Sequence, residues 1–322
     1  MGLDDEPSVH MLIADYLRGR RPSISFEFFP PKTDAGVENL MRTVKSLRIL
    51  NPGFVSVTYG AGGSSRARTL EVVRRIKSEL AIEPMAHLTC VGSSRDEMRA
   101  IARELAASGI ENVMALRGDP PKGQARFVPA VDGFSYASEL IAMLREEFAF
   151  CIGAGAYPEV HPEALDADAD VRFAAAKVAA GATFLTTQFF FNNAAYFAYV
   201  ERVRALGIEV PIVPGIMPIT SYGSVATMLK MNGGRMPQRL LTELEARIDE
   251  PDAVAELGVA YTALQCRELL AHGAPGLHFY TLNSSTATRA VVSALIATGA
   301  IHEASLAFDA TAPKRNVAVT AS

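Results

Sequence analysis

Apolar residues along the chain follow two alternating rhythms. Short, near-continuous apolar runs are separated by longer stretches whose apolar residues recur at helical spacing. The runs are Ile24 to Phe29, Phe54 to Tyr59, Met85 to Val91, Asn112 to Leu116, Cys151 to Tyr157, Thr183 to Phe191, Pro211 to Met217 and Gly276 to Leu282. Such runs predict strands covered on both faces. Helices are predicted between them. They run from about Ala35 to Leu50, Arg66 to Leu80, Ser94 to Gly109, Phe134 to Phe148, Ala167 to Ala180 and Ala194 to Leu206. A longer stretch follows through Val254, Leu257, Tyr261 and Leu264, and the last helix spans Ala287 to Ala297. Leu70, Val73, Ile76 and Leu80 lie near one helical face, and Ser94-Arg95-Asp96-Glu97 is a capping box. Eight strand–helix units fit a (β/α)8 TIM barrel of the α/β class better than the alternative, an open doubly wound sheet. A short helix within residues 8–19 is predicted before the first strand, and an extra helix between strands seven and eight. The expected division is an extension over 1–20, a barrel over 21–302 and a disordered Ala/Thr-rich tail over 303–322.

Composition narrows the function classes. A net charge of -4 and a pI near 5.9, with no Lys/Arg run, argue against nucleic-acid binding. Cys90, Cys151 and Cys266 form no close pair, which points away from a disulfide framework or zinc site and toward the cytoplasm. No apolar run is long enough to span a bilayer, and the start, Met1 to Pro7, is acidic rather than the basic start of a secretory signal. His161 and Glu163 are poorly spaced for a metal, so no metal site is expected.

In such a barrel the chemistry gathers at the C-terminal strand ends. Glu27 is the one charge between Ile24 and Pro31. A carboxylate among aromatic side chains is costly to ionise, so its pKa is expected to rise, which suits a proton donor. A glutamate turned to solvent at the strand end is the plain alternative. Thr58, His87, Arg117, Gly118, Asp119, Tyr157, His161 and Gln188 stand at the ends of the following strands. Each has an ordinary reading, a turn hydroxyl for Thr58 or a core histidine for His87. Their gathering at one end is harder to dismiss. Gly60-Ala61-Gly62-Gly63-Ser64-Ser65 reads either as an anion-binding turn or as a tight turn without a ligand. Residues alone stop at an aromatic-rich mouth suited to a flat heterocycle, with a proton-donor carboxylate and a second carboxylate beside an arginine.

The stretches SFEFFPPK (25–32), FVSVTYGAGG (54–63), HLTC (87–90), ALRGDPP (115–121), AYPEVHPEA (156–164), TQFFF (187–191), PIVPGIMPI (211–219) and PGLHFYTLN (275–283) resemble the 5,10-methylenetetrahydrofolate reductase family. The resemblance implies the catalytic barrel alone, without the regulatory domain of the animal enzymes. It implies bound FAD, NADH or NADPH as co-substrate, methylenetetrahydrofolate as substrate, a role in methionine synthesis, and a homo-oligomer. By motif, Glu27 matches the general acid and Asp119 the carboxylate near flavin and pterin. Gln188 matches a pterin-binding amide, and Tyr222 an aromatic that packs on nicotinamide or folate. Thr58, His87, Arg117, Gly118, Asp119, Tyr157, His161, Asp170 and Lys177 match FAD-binding positions. Ser284 stands near the folate tail where the best-known bacterial form has an arginine. Phe173 and Ala176 stand where family members carry polar or basic flavin contacts. These departures keep flavin-free hydride transfer open as an alternative. A folate-dependent methyltransferase or demethylase, or a non-catalytic partner subunit, on the same barrel is the other class.

Overall fold

The protein is represented by a computed structural model that describes residues 11–301 except 20, 60–65 and 121–125. The Gly60–Ser65 turn, Pro121 and the tail over 303–322 therefore lie outside the described residues. The apolar runs form β1 (Ser23–Phe28), β2 (Phe54–Val57), β3 (Pro84–Thr89), β4 (Asn112–Leu116), β5 (Cys151–Ala156), β6 (Phe184–Phe189), β7 (Ile212–Ile216) and β8 (Gly276–Tyr280). Each pairs in parallel with the next, and β8 pairs with β1 to close the barrel. The helices are α1 (Ile13–Leu17), α2 (Asp34–Leu47), α3 (Arg66–Leu80), α4 (Arg95–Ala107), α5 (Ala137–Glu147), α6 (Ala167–Ala180), α7 (Asn193–Ala205), α8 (Tyr222–Asn232), α9 (Gln238–Glu245), α10 (Pro251–Ala271) and α11 (Thr286–Ala297). The Ser94–Glu97 capping box is formed at the start of α4. No helix among the described residues is long and apolar enough to cross a membrane.

Strand alternation sorts the side chains into two shells. Ile24, Phe26 and Phe28 of β1 join Val55, Val57, Ala86, Leu88, Ile152 and Ala154 in the core beneath the helices. The opposite set points into the barrel. Its lower layer is apolar: Phe54, Met85, Met114, Cys151, Phe184 and Val213 pack against Ile13, Ala14 and Leu17. So α1 plugs the floor. Its upper layer is polar, with Glu27, Ser56, His87, Thr89, Thr186 and His278 all buried. The fold thus dries the floor and leaves polar groups under the upper mouth.

Two expectations need correction. The segment between β7 and β8 carries α8, α9 and α10, one helix more than a single insertion before the barrel's own helix. Gly233, with a φ of +68°, ends α8, and Pro237 precedes α9, so the insertion ahead of α10 is two short helices rather than one. The two short helices cover an apolar patch built from Phe189, Phe191, Met217, Ile219, Val225, Leu240 and Leu244. Strand ends also fall earlier than predicted, so Thr58 and Tyr157 begin loops rather than finish strands.

The floor also contains a buried carboxyl. Glu83 Oε2 lies 3.4 Å from Lys77 Nζ, and Glu83 Oε1 accepts from Asn112 Nδ2 at 2.9 Å. Burial raises its pKa to about 7, against the pull of Lys77. The folded chain therefore holds this proton more tightly than the unfolded chain. The contribution to stability is full below the ordinary carboxylate pKa and is lost as pH rises through about 7. Glu83→Gln is expected to stabilise the fold by about 1–3 kcal/mol more at roughly pH 8 than at roughly pH 5. Urea midpoints at both pH values check this, and an equal shift at both would refute it.

Candidate active site

Glu27 sits near the C-terminal end of β1, in register with Ser56 of β2 and Tyr280 of β8. Its Oε2 accepts from Ser56 Oγ at 3.2 Å. Nε2 of His278 lies 3.3 Å from the same oxygen, and so does Nε2 of His87. His278 is aligned for a hydrogen bond, whereas His87 Nε2 has no hydrogen-bond partner among the described residues. No described residue donates a hydrogen bond to Oε1. Behind the cage, Ser25 Oγ lies 2.8 Å from His278 Nδ1, and Phe54 stacks on the imidazole at 5.8 Å between centroids.

This cage overturns the expected direction for Glu27. Burial does push the carboxyl up. The positive potential of His87 and the hydrogen bond from His278 outweigh it and hold Glu27 below the usual carboxylate range. The sequence places Phe26 and Phe28 beside Glu27. Strand alternation turns both rings to the outer shell, so they do not surround the carboxylate.

A second group lines the rim above β4 and β5. Arg117 forms a two-pronged ion pair with Glu163, at 2.5 and 2.8 Å, and its guanidinium lies 5.1 Å from the centre of the Phe127 ring. Tyr157 and His161 meet edge to face at 4.5 Å. Burial, then the charge of Asp119, raises the Tyr157 phenol to about 12, while burial and Arg117 lower His161. Asp119 itself is exposed at the rim. Gly118 has a φ of +86°, and a Cβ there would meet Thr89 and Val91 at 3.1 and 3.2 Å. Lys177 reaches from α6 and donates to the Gly155 carbonyl at 2.5 Å. Burial of its ammonium lowers its pKa to about 8, opposed by Asp170, and burial raises Asp170 in turn. Val160, between Tyr157 and His161, holds a φ of +70°, a strained choice for a β-branched residue.

The remaining sequence candidates lie on other parts of the mouth. Thr58 lends its carbonyl to Thr69 Oγ1 at 3.0 Å. Gln188 folds its amide oxygen back to accept from Phe189 N at 3.0 Å. Tyr222 opens α8, and its hydroxyl donates to Glu245 on α9 at 3.0 Å, not to the Glu27 cage. Ser284 donates its N–H to the Thr281 carbonyl at 2.9 Å in the turn after β8. That turn carries Leu282 and Asn283 at φ of +50° and +60°, and Asn283 pairs with both backbone groups of Phe29. Thr281 Oγ1 donates to the Glu27 carbonyl at 2.7 Å, so this loop also pins the carboxylate's own backbone.

Sequence reasoning passed over several residues. Ser25, Ser56 and His278 complete the cage, Tyr280 donates to the Thr187 carbonyl at 2.7 Å, and Glu163 engages Arg117. The available signal was parity. In Gly276-Leu277-His278-Phe279-Tyr280 the histidine and tyrosine share the inward face, between two outward apolar residues. Gly215 leaves the space beside them. A Cβ there would lie 2.2 Å from the Thr187 carbonyl oxygen and 2.6 Å from the Tyr280 ring.

The family model for methylenetetrahydrofolate reductase matches residues 12–296. The 5,10-methylenetetrahydrofolate reductase of Escherichia coli (strain K12) is 37% identical over 273 residues, 85% of this chain and 90% of the relative. Methylenetetrahydrofolate reductase (NADH) 1 of Arabidopsis thaliana is 39% identical over 272 residues, which are 81% of this chain and 46% of that protein. This chain thus spans about half the length of the plant relative. Among solved structures, an uncharacterized protein from Clostridium thermocellum that binds two copies of 5-methyl-5,6,7,8-tetrahydrofolic acid superposes with a TM-score of 0.58. The pair share 16% identity over 88% of this chain and 97% of that one, a likeness of fold.

Proposed function

The chain belongs to the methylenetetrahydrofolate reductase family, and on that premise we propose that it reduces 5,10-methylenetetrahydrofolate to 5-methyltetrahydrofolate. The electrons come from NADH or NADPH through bound FAD, and the product's methyl group serves methionine synthesis. The observation that carries this reading is the caged carboxylate. Glu27 is buried under the mouth with Oε2 hydrogen-bonded to Ser56 and His278 and 3.3 Å from His87 Nε2, and no described residue donates to Oε1. Glu27 gives a proton to the folate amine that leaves the five-membered ring, and the ring opens to an iminium at N5. Ser56, His87 and His278 then stabilise the carboxylate that remains.

The residues present suit a flavin. His87 Nε2, Thr89 Oγ1 and Thr186 Oγ1 are buried polar atoms without hydrogen-bond partners among the described residues. Such atoms are costly unless a ligand satisfies them. Thr58, His87, Arg117, Gly118, Asp119, Tyr157, His161, Asp170 and Lys177 would hold FAD. When bound, it supplies hydride transfer from nicotinamide to folate. Asp119 contributes negative charge at the rim, and Gln188 offers an amide to the pterin. Tyr222 and Ser284 lie toward the parts of the substrate farther from the acid.

Lys177 gives a direct test of the flavin site. With a pKa of about 8, its ammonium is only partly charged near that pH. A diphosphate beside it favours the charged form. Binding of FAD at about pH 8 should therefore take up roughly half a proton per site, and almost none at about pH 6. Calorimetry in buffers of different ionisation heat measures this. Uptake that is unchanged in Lys177→Met would remove Lys177 from the site.

The proposed function is tested by the visible spectrum of the purified protein without oxygen. A flavin band that bleaches with NADH or NADPH and returns with methylenetetrahydrofolate supports both half-reactions. A protein that reduces folate without a flavin band supports direct hydride transfer instead. That second reading is favoured by Phe173, half exposed on α6, and by exposed Ala176, since neither offers a polar group to FAD. A protein that does neither, even with added FAD, would overturn the reading.

A further inference from the structure

The upper end of β6 carries one polar atom that the fold leaves unsatisfied. The strand departs from regular pairing there. Thr186 faces Val213 and Phe189 faces Gly215, so three steps along β6 match two along β7. A bulge of this kind releases groups from the ladder and re-aims side chains, often beside a functional site. Here the protein accounts for nearly all of them. Thr187 Oγ1 accepts from Gly215 N at 2.9 Å, and the Thr187 carbonyl accepts from the Tyr280 hydroxyl at 2.7 Å. Gln188 Oε1 accepts from Phe189 N at 3.0 Å. Thr186 Oγ1 is the exception. The residue is 5% exposed, and its hydroxyl has no hydrogen-bond partner among the described residues. A buried hydroxyl left in this way is costly, and valine would fill the same space without that cost.

Strand parity puts this hydroxyl inside the barrel. Phe184, two residues earlier, packs into the floor, and Leu185 packs beneath the helices. Thr186 stands one layer above Phe184, and its partner on β5 is Gly155. The two glycines of β5 differ in what they make room for. A Cβ at Gly153 would lie 2.5 Å from the Phe184 ring, so the lower glycine admits the chain's own side chain. A Cβ at Gly155 would meet only Leu116 Cδ2, at 3.3 Å, the far end of a flexible side chain. Its backbone is not left-handed either. The packing of the chain itself therefore does not call for glycine at 155, whereas close approach of a ligand does. Gly155 also lends its carbonyl to Lys177 Nζ at 2.5 Å, and Tyr157 follows two residues later. The bare strand and the lone hydroxyl thus adjoin the groups proposed to hold FAD, on the side of the barrel opposite β1 and β2 with Glu27 and Ser56.

We propose that Thr186 is a flavin-contact residue, whose hydroxyl hydrogen-bonds a heteroatom of the flavin ring where that ring approaches Gly155. This rests on the reading of the chain as FAD-dependent. A flavin ring is flat and carries both acceptors and an N–H donor along its edge. A threonine hydroxyl serves either, since it donates one hydrogen bond and accepts others. The glycine lets the ring come close to β5, and the threonine fixes its edge on β6. The contact costs the flavin-free protein stability and returns it on binding, so Thr186 favours the loaded form over the empty one.

The test compares Thr186→Val, which keeps the shape and removes the hydroxyl, with Thr186→Ser, which keeps the hydroxyl. Flavin fluorescence measures the binding of FAD to the full-length chain stripped of flavin, and competition measures riboflavin, which has the ring without the diphosphate. Thr186→Val is expected to weaken both about 3–10-fold, and Thr186→Ser to restore the parent affinities. Melting of the flavin-free chain is the companion measurement. There Thr186→Val is expected to raise Tm by about 2–4 °C, because an unpaired buried hydroxyl is gone. A lower Tm would mean that the hydroxyl is satisfied within the protein, and would overturn the proposal. So would parent affinity for both flavins in Thr186→Val, an outcome that leaves the FAD reading standing. A loss confined to FAD would put the effect at the diphosphate end and overturn the ring contact. A loss of folate affinity with both flavins unaffected would hand Thr186 to the pterin and overturn it as well. A parent chain that binds neither flavin would defeat the FAD reading itself, and this contact with it.

Discussion

Glu27→Gln is expected to lower the rate of folate reduction by about 10²–10⁴-fold, the usual worth of a positioned general acid. The change is nearly isosteric. The amide oxygen can still accept from Ser56 Oγ, so the cage keeps its shape while losing its proton donor. Flavin binding should survive, because the rim residues on β4, β5 and α6 are untouched. The loss should fall on re-oxidation of the reduced enzyme by folate. Its reduction by nicotinamide, which needs no proton from this cage, should change far less. Stopped-flow absorbance of each half-reaction separates the two. A variant that reduces folate at the parent rate would remove Glu27 as the acid, whatever its effect on binding.

The direction of Glu27's pKa shows where sequence reading stops. The strand could be read from Ile24 to Phe29 because burial on both sides leaves an apolar run, and the same logic recovered all eight strands. The identity of the carboxylate's neighbours could not be read this way. Along the chain they are Phe26 and Phe28, which face the helices. In space they are Ser56, His87 and His278, the last of them 251 residues away and brought near only by closure of the barrel. A histidine inside an apolar run reads as a core residue until its partner strand is known. His278 was therefore invisible as a functional group, although its strand was not.

The rim was more legible because its residues cluster along the chain. Tyr157, His161 and Glu163 lie within one loop, and Asp170 and Lys177 lie on the helix that follows. Even there, one interaction was beyond sequence. Glu163 reads as a stray acid beside two prolines, and the fold swings it across the rim to engage Arg117. The region between β7 and β8 was less legible. Periodicity through Val254 to Leu264 marks α10 correctly, but α8 and α9 bury their apolar residues in a patch made by the ends of β6 and β7. That patch exists only once the barrel has formed.

Asn112→Ala is expected to destabilise the fold by about 2–4 kcal/mol, or roughly 3–6 °C in Tm for a chain of this size, while altering the active site little. Asn112 begins β4 and is fully buried. Its Oδ1 accepts from Ile13 N at 2.9 Å, and its Nδ2 donates to the Met11 carbonyl at 2.8 Å and to Glu83 Oε1 at 2.9 Å. One side chain thus latches α1 to the barrel floor and satisfies a buried acid. Alanine leaves Ile13 N and Met11 O without partners and Glu83 Oε1 with only the long 3.5 Å contact to Lys77 Nζ, and such orphans cost more than the hydrogen bonds contribute when made. Asn112→Asp sharpens the test. It keeps the acceptor for Ile13 N but turns an acceptor toward Met11 O and Glu83. Its deficit should therefore be larger at about pH 8 than at about pH 5, where carboxyl groups regain protons. Urea midpoints and the rate of proteolysis near residues 11–19 measure both. Unchanged midpoints in Asn112→Ala would mean that apolar packing of Ile13, Ala14 and Leu17 alone seats the plug. A loss of folate reduction larger than the loss of folded protein would mean that the floor is coupled to the Glu27 cage above it.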